Sequence, residues 1–167
     1  MNNCIVFHIR REENIELKIN KKYALFFWVI ITTVSAIILN FSNHLMGNNA
    51  TILNLKVSII FLILWFLLSV YCGWKNEKSY MKFTLIYWGI SIITYLLLKL
   101  NSIINFDGMI LAPLAIWYYS PIYGLRYLIN ETPSTLNSIS IYIGFLINFL
   151  GYFIGYYMYK LKVRVNN

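Results

Sequence analysis

The chain has 167 residues, of which 59% are hydrophobic and only 12% are charged, and its mean hydropathy is +0.62. A water-soluble domain of this size cannot hide so much apolar surface, because its surface is too large for its volume. The formal net charge of +8 would suit nucleic-acid binding in a soluble protein. Here the basic residues cluster at the edges of apolar stretches, which favours orientation in a membrane and contact with anionic headgroups and excludes nucleic acid as a partner.

A polar leader at residues 1–22 precedes five apolar stretches. Crossing the hydrocarbon core takes roughly 20 apolar residues in a helix, and four stretches are predicted to be spans. Their predicted bounds are about 23–44, 52–74, 83–104 and 136–160. The sequence therefore predicts an all-α, multi-pass transmembrane helical bundle over residues 23–160, followed by a basic cytoplasmic tail at 161–167.

The remaining apolar stretch, Gly108–Leu125, contains Pro113 and Pro121. A proline inside a helix removes a backbone donor and clashes with the preceding turn. We therefore expect this stretch to be broken, and to form part of a re-entrant or interfacial cap over residues 106–135 on the outer side.

The distribution of Lys and Arg separates four spans from five, because positive charge stays on the cytoplasmic side. If Gly108–Leu125 crosses, Lys160, Lys162 and Arg164 lie outside the cell. If it does not cross, only Arg126 is misplaced. The rule favours four spans in a cell membrane, with both termini on the cytoplasmic side. The composition is rich in Lys, Ile and Asn, which is typical of an AT-rich bacterial genome. Five spans is the alternative.

Ionisable residues near the predicted outer ends of the spans form the candidate ligand site. They are His44, Lys56, Lys99, Asp107 and Arg126. Ionisable residues at membrane depth are functional candidates, and converging cations would bind a phosphate, a lipid headgroup or a carboxylate. The alternative is that both lysines reach the interface and anchor helix ends.

Glycines on the last apolar stretch form a second feature. Gly151 and Gly155 have GxxxG spacing, and Gly144 lies two turns earlier on roughly the same face. Such a face lets helix backbones approach closely. It predicts either a seam with a second copy or a partner subunit, or packing against the other helices of the same chain.

Catalytic and cofactor motifs do not emerge from the sequence. The predicted spans contain no Asp or Glu, and Cys4 and Cys72 do not have metal or redox spacing. No nucleotide-binding glycine pattern occurs. The sequence thus predicts no catalytic residue, cofactor or metal, and favours a non-enzymatic protein.

Three functions stay open at this level. The leading one is an accessory, immunity-type or partner-binding membrane component, which the glycine face and the small size favour. The second is a transporter or substrate-binding membrane subunit with an outward-facing cationic site. The third is a membrane enzyme that acts on a lipid headgroup.

Overall fold

The computed structural model describes residues 24, 25, 27–104, 108–128 and 133–165, and at 101–104, 108, 133–138 and 140 it describes the backbone alone. The predicted leader at 1–22 lies outside these residues, as do Asp107 and the last two residues of the predicted tail. The chain divides into a first unit that ends at Thr32 and a second that begins at Thr33. In the first unit, the Thr32 hydroxyl donates to the backbone carbonyl of Trp28 at 2.9 Å, within one helix.

Five α-helices form the described structure, and no strand occurs in the ranges above. We number them α1 to α5 in chain order. Two 3-10 helices, Gly108–Leu111 and Ser120–Tyr127, flank α4. The α-helices are α1 Phe27–Leu45, α2 Ile52–Trp74, α3 Lys78–Ile104, α4 Ala112–Tyr119 and α5 Pro133–Val165.

Local chemistry explains where the helices end. Gly47, just beyond α1, has a φ of +64°, the left-handed conformation that commonly ends a helix. Thr51 caps α2 through a reciprocal pair of hydrogen bonds with Asn54, which satisfies amides at the helix start. Asn76 has a φ of 54° and turns the chain between α2 and α3, a conformation that asparagine tolerates better than most residues.

Four helices are long and apolar enough to cross a membrane, and they indicate a membrane-embedded, multi-pass protein. The crossing segments are Phe27–Leu45, Ile52–Trp74, Lys78–Leu100 and Ile141–Val165. The prolines of the fourth apolar stretch start short elements: Pro113 lies in the first turn of α4 and Pro121 in the first turn of the following 3-10 helix. The three short helices of Gly108–Tyr127 follow one another directly, but Gly124 near their end lies against Asn54 at the start of α2, at the end of the bundle that α3 reaches.

The segment Gly108–Tyr127 therefore returns to the end of the bundle at which α3 ends. At that end the Ser120 carbonyl accepts from Asn40 near the end of α1. At the opposite end, the Lys162 ammonium of α5 lies 5.8 Å from the ring centroid of Trp74, the last residue of α2. The prediction of four spans and a proline-broken segment is confirmed, and the five-span alternative is wrong.

Close backbone contact holds α2 against α5. A Cβ on Gly73 of α2 would overlap the Tyr152 carbonyl oxygen, and one on Gly155 of α5 would overlap the Val70 carbonyl oxygen. A Cβ on Gly151 would lie 3.0 Å from the Phe66 carbonyl oxygen. The two helices can approach this closely only because small residues line the seam.

Candidate functional site

The buried face of α3 is polar along its whole length. Six residues between Lys78 and Leu100 are buried, and each carries a polar atom. We call this set the polar stripe: Tyr80, Thr84, Tyr87, Trp88, Ser91 and Thr94. Large aliphatic side chains occupy the opposite face, including Ile86, which is 63% exposed, and Ile93, which is 57% exposed. The helix thus points its polar side inward and its apolar side outward, the reverse of a helix on a soluble protein.

Partners within the chain satisfy both ends of the polar stripe. The Tyr80 hydroxyl lies 2.7 Å from Ser69 Oγ of α2 and donates to Asn148 Oδ1 of α5 at 3.2 Å. Ser69 Oγ is also 2.8 Å from Asn148 Oδ1. At the other end, the Thr94 hydroxyl donates to the Ile90 carbonyl at 2.8 Å. The first group links three helices through neutral hydrogen bonds.

Aromatic rings surround the middle of the polar stripe. The Trp65 ring of α2 lies 4.8 Å from Tyr87 and 5.9 Å from Trp88, between centroids. Tyr118 of α4 meets Tyr87 edge-on at 5.0 Å. The Trp88 indole occupies the space where a side chain at Gly144 would lie. This contact fixes the indole between α2 and α5.

Four buried polar atoms of α2, α3 and α4 have no hydrogen-bond partner in the described part of the chain. Two belong to the polar stripe and two to the neighbouring helices. They are Trp88 Nε1, Ser91 Oγ, Trp65 Nε1 and Tyr119 Oη. Leaving a buried polar group unsatisfied costs about 1–3 kcal/mol, so this concentration is unfavourable for a core that serves packing alone.

These atoms have a common chemistry. An indole N–H only donates, and a hydroxyl can donate or accept. A tyrosine hydroxyl is protonated at neutral pH and can donate; burial raises the pKa of the Tyr119 phenol further, with a smaller effect from Tyr95. Every buried polar side chain of the described residues is neutral. The arrangement is suited to an uncharged molecule that carries acceptor oxygens.

A second polar network holds the proline-broken segment against α1 and α2. Asn40 Nδ2 donates to the Ser120 carbonyl at 2.8 Å, and Asn54 Nδ2 donates to Asn40 Oδ1 at 3.0 Å. The Gly124 amide donates to Ser58 Oγ at 2.9 Å. A Cβ on Gly124 would overlap the backbone of Asn54, so glycine is needed for this close approach. We call this network the clamp.

The structure brings two of the predicted ligand residues to one ring. His44 Nδ1 lies 2.6 Å from Ser120 Oγ, and the His44 ring is 5.1 Å from the Tyr123 ring. The Arg126 guanidinium carbon is 6.0 Å from the Tyr123 centroid. His44 and Arg126 thus border the clamp.

Lys56 does not lie beside this ring. Lys56 is exposed, and it lies two residues from both Asn54 and Ser58, which are buried. This spacing places it on the opposite side of α2 from the clamp. Lys99 is exposed on α3, and Asp107 lies outside the described residues. The predicted packing glycines all meet helices of their own chain: Gly144 meets α3, and Gly151 and Gly155 meet α2.

Sequence reasoning missed the polar stripe. Its signal is the spacing of Tyr80, Thr84, Tyr87, Ser91 and Thr94, which alternates between four and three residues and keeps one helix face polar. In a sequence so rich in Tyr and Trp, this spacing does not stand out.

Within the described residues, no group of three or more His, Cys, Asp or Glu side chains is placed to hold a metal ion. Comparison with protein families, with curated proteins and with solved structures found no match to this chain.

Proposed function

We propose that this chain is a non-enzymatic, multi-pass membrane component that binds an uncharged, hydrogen-bonding molecule inside its helical bundle. The observation that carries the proposal is the polar stripe of α3, with the unpartnered donors Trp88 and Ser91 at its centre. Within the three functions that the sequence left open, this is a substrate-binding or transport subunit whose site lies in the bundle interior rather than among outer cations.

The lining determines the class of ligand. A charged ligand would lose its hydration in the bundle, at a cost that only a buried counter-charge offsets, and the buried part of the described chain supplies none. A neutral ligand with hydroxyl or carbonyl oxygens would instead accept from the Trp65 and Trp88 indoles. Aromatic rings beside these donors would cover its apolar parts.

The two other functions, a transporter with an outward-facing cationic site and a membrane enzyme, receive less support. Lys56 lies on the side of α2 that faces away from the clamp, so it does not join His44 and Arg126 at the Tyr123 ring. The four spans contain no Asp or Glu, so acid–base or metal-assisted chemistry on a headgroup would have to draw its carboxylates from elsewhere in the chain.

Binding of a partner protein is the second candidate function, and Gly89 supports it instead of the glycines that the sequence singled out. Gly144, Gly151 and Gly155 are used inside the chain and no longer favour an external seam. Gly89 of α3 has open space where its Cβ would be, and its neighbour Ile86 is 63% exposed. An accessory or immunity-type subunit would dock a partner helix over this notch. Replacing Gly89 by Leu would then abolish co-purification with the partner and leave ligand binding intact.

We further propose that the end carrying Trp74 is cytoplasmic, with both termini on that side of a bacterial cell membrane. Lys75, Lys78 and Lys82 lie in or near the turn between α2 and α3, and the basic end of α5 is beside them. This placement follows the positive-inside rule. A cysteine introduced at Asn49 should react with an impermeant reagent in intact cells, and one at Lys78 should react only after lysis. The reverse pattern would contradict this orientation.

Native mass spectrometry of the full chain, purified in a mild detergent, tests the proposed function. The wild-type protein is expected to retain a small uncharged molecule, and Ser91→Leu, which fills the middle of the polar stripe, is expected to lose it. Ile93→Leu, on the exposed face of the same helix, is the matched control and should retain it. Finding the same bound species, or none, in all three proteins would contradict the proposal.

A further inference from the structure

Basic side chains of α2, α3 and α5 gather at the end of the bundle where the Trp74 ring lies. Six exposed cations are found there within the described residues, with Glu77 as the one acidic residue among them. They come from the α2–α3 turn, the start of α3 and the end of α5. The six are Lys75, Lys78, Lys82, Lys160, Lys162 and Arg164.

Two of these cations meet on a single aromatic ring. The Lys75 ammonium lies 5.4 Å from the Trp74 centroid, and the Lys162 ammonium lies 5.8 Å from the same centroid. Lys75 is also 5.9 Å from the Tyr71 ring, and Lys160 is 5.3 Å from the Tyr156 ring. Contact with a ring face holds each ammonium in place, although the ring supplies no negative charge. Two like charges beside one ring repel each other, and an anion close to both would offset that repulsion.

The position of the ring indicates what the anion belongs to. Trp and Tyr concentrate where the hydrocarbon core meets the headgroups, and Trp74 and Tyr71 end a helix that is long enough to span a membrane. The ammonium groups beside them are thus at the level of lipid phosphates. We propose that Lys75, Trp74 and Lys162 form a binding site for the phosphodiester of an anionic lipid, independent of any ligand in the bundle interior.

Binding of a short-chain phosphatidylglycerol to the full chain in a neutral detergent tests this site, with short-chain phosphatidylcholine and inorganic phosphate as comparison ligands. Lysines near an anionic surface are attracted to it, so Lys75→Gln with Lys162→Gln should weaken phosphatidylglycerol binding about tenfold or more. Lys56→Gln, which removes an exposed cation at the other end of the bundle, should leave binding unchanged. Replacing both lysines by Arg should restore it.

Each other outcome overturns the proposal. Equal affinity for phosphatidylglycerol and phosphatidylcholine would show that the charge of the lipid is not recognised. Inorganic phosphate binding as tightly as the lipid would identify a soluble anion instead. If Lys56→Gln weakened phosphatidylglycerol binding as much as the double variant does, the effect would come from net charge and not from a site at Trp74. Circular dichroism of each variant identifies any that is unfolded, so that a loss of lipid binding caused by unfolding is not counted.

Discussion

The indole rings of Trp65 and Trp88 meet edge to face with centroids 5.9 Å apart, yet neither Nε1 donates a hydrogen bond to any described residue. Both side chains are 1% exposed. Buried tryptophans usually find an acceptor for this group, and here two neighbouring ones do not. The proposed ligand would accept hydrogen bonds from this pair in the middle of the bundle.

Two serine-to-alanine changes distinguish satisfied from unpartnered hydroxyls. Ser69 Oγ lies 2.8 Å from the Asn148 side-chain oxygen and 2.7 Å from Tyr80 Oη, whereas Ser91 Oγ has no partner in the described chain. In ligand-free protein, Ser69→Ala should lower the free energy of unfolding by about 1 kcal/mol, and Ser91→Ala should leave it unchanged or raise it. Denaturant titration in mixed micelles measures both. Equal losses would mean that Ser91 has a protein partner.

Two glycine-to-alanine changes test the seam between α2 and α5. At Gly155 the new methyl group would overlap the Val70 carbonyl oxygen, and at Gly89 it would enter open space. Gly155→Ala should therefore destabilise the fold by about 1–3 kcal/mol through overpacking. Gly89→Ala should be neutral or stabilise it by up to about 1 kcal/mol through helix propensity. The same titration measures both variants, and a neutral Gly155→Ala would show that the helices separate easily.

Much of this fold follows from the sequence, because span length and the placement of positive charge both have strong physical limits. The boundaries 52–74 of the second span match the helix Ile52–Trp74. The two prolines indicated that Gly108–Leu125 does not cross, and α4 ends after eight residues. The third helix begins at Lys78 rather than near 83, because a charged first turn can extend beyond the hydrocarbon core.

The candidate site was harder to predict, since it depends on which face of α3 turns inward. Tyr, Trp, Ser and Thr at a span can serve an interfacial belt, helix packing or a ligand, and spacing alone does not separate these roles. The clamp was likewise hidden, because Asn40, Ser58 and Gly124 are distant in sequence and are ordinary residues individually. Glycine spacing predicted close packing but left open whether the partner was internal.

Asn148 should couple three helices. Its Oδ1 accepts from Ser69 and Tyr80, and its Nδ2 donates to the Gly144 carbonyl at 2.8 Å. Asn148→Leu removes two interhelical bonds, and at roughly 0.6 kcal/mol each it should destabilise the protein by about 1–2 kcal/mol. The double variant with Ser69→Ala should lose less than the sum of the single losses, because both changes remove the same bond. Strict additivity in a double-mutant cycle would contradict the network.

The clamp should control access to the proline-broken segment. Ile122 is 2% exposed and lies beside Pro121, whose neighbour Ser120 is held by Asn40. In protein lacking Cys4 and Cys72, a cysteine at position 122 should react slowly with a maleimide. Asn40→Ala should speed the reaction several-fold, and Ser42→Ala, an exposed position on the same helix, should not. Unchanged labelling in Asn40→Ala would show that the segment stays in place without the clamp.

The most direct test of an interior site for an uncharged ligand is the hydrogen-bond state of the two indoles. Nitrogen-15 NMR of the full chain in native-membrane nanodiscs would resolve the Trp65 and Trp88 Nε1–H signals, assigned through Trp65→Phe and Trp88→Phe. The proposal predicts hydrogen-bonded chemical shifts for both signals, which Ser91→Leu moves toward the values of a free indole. Free-indole shifts in the wild-type protein, unchanged in Ser91→Leu, would contradict it.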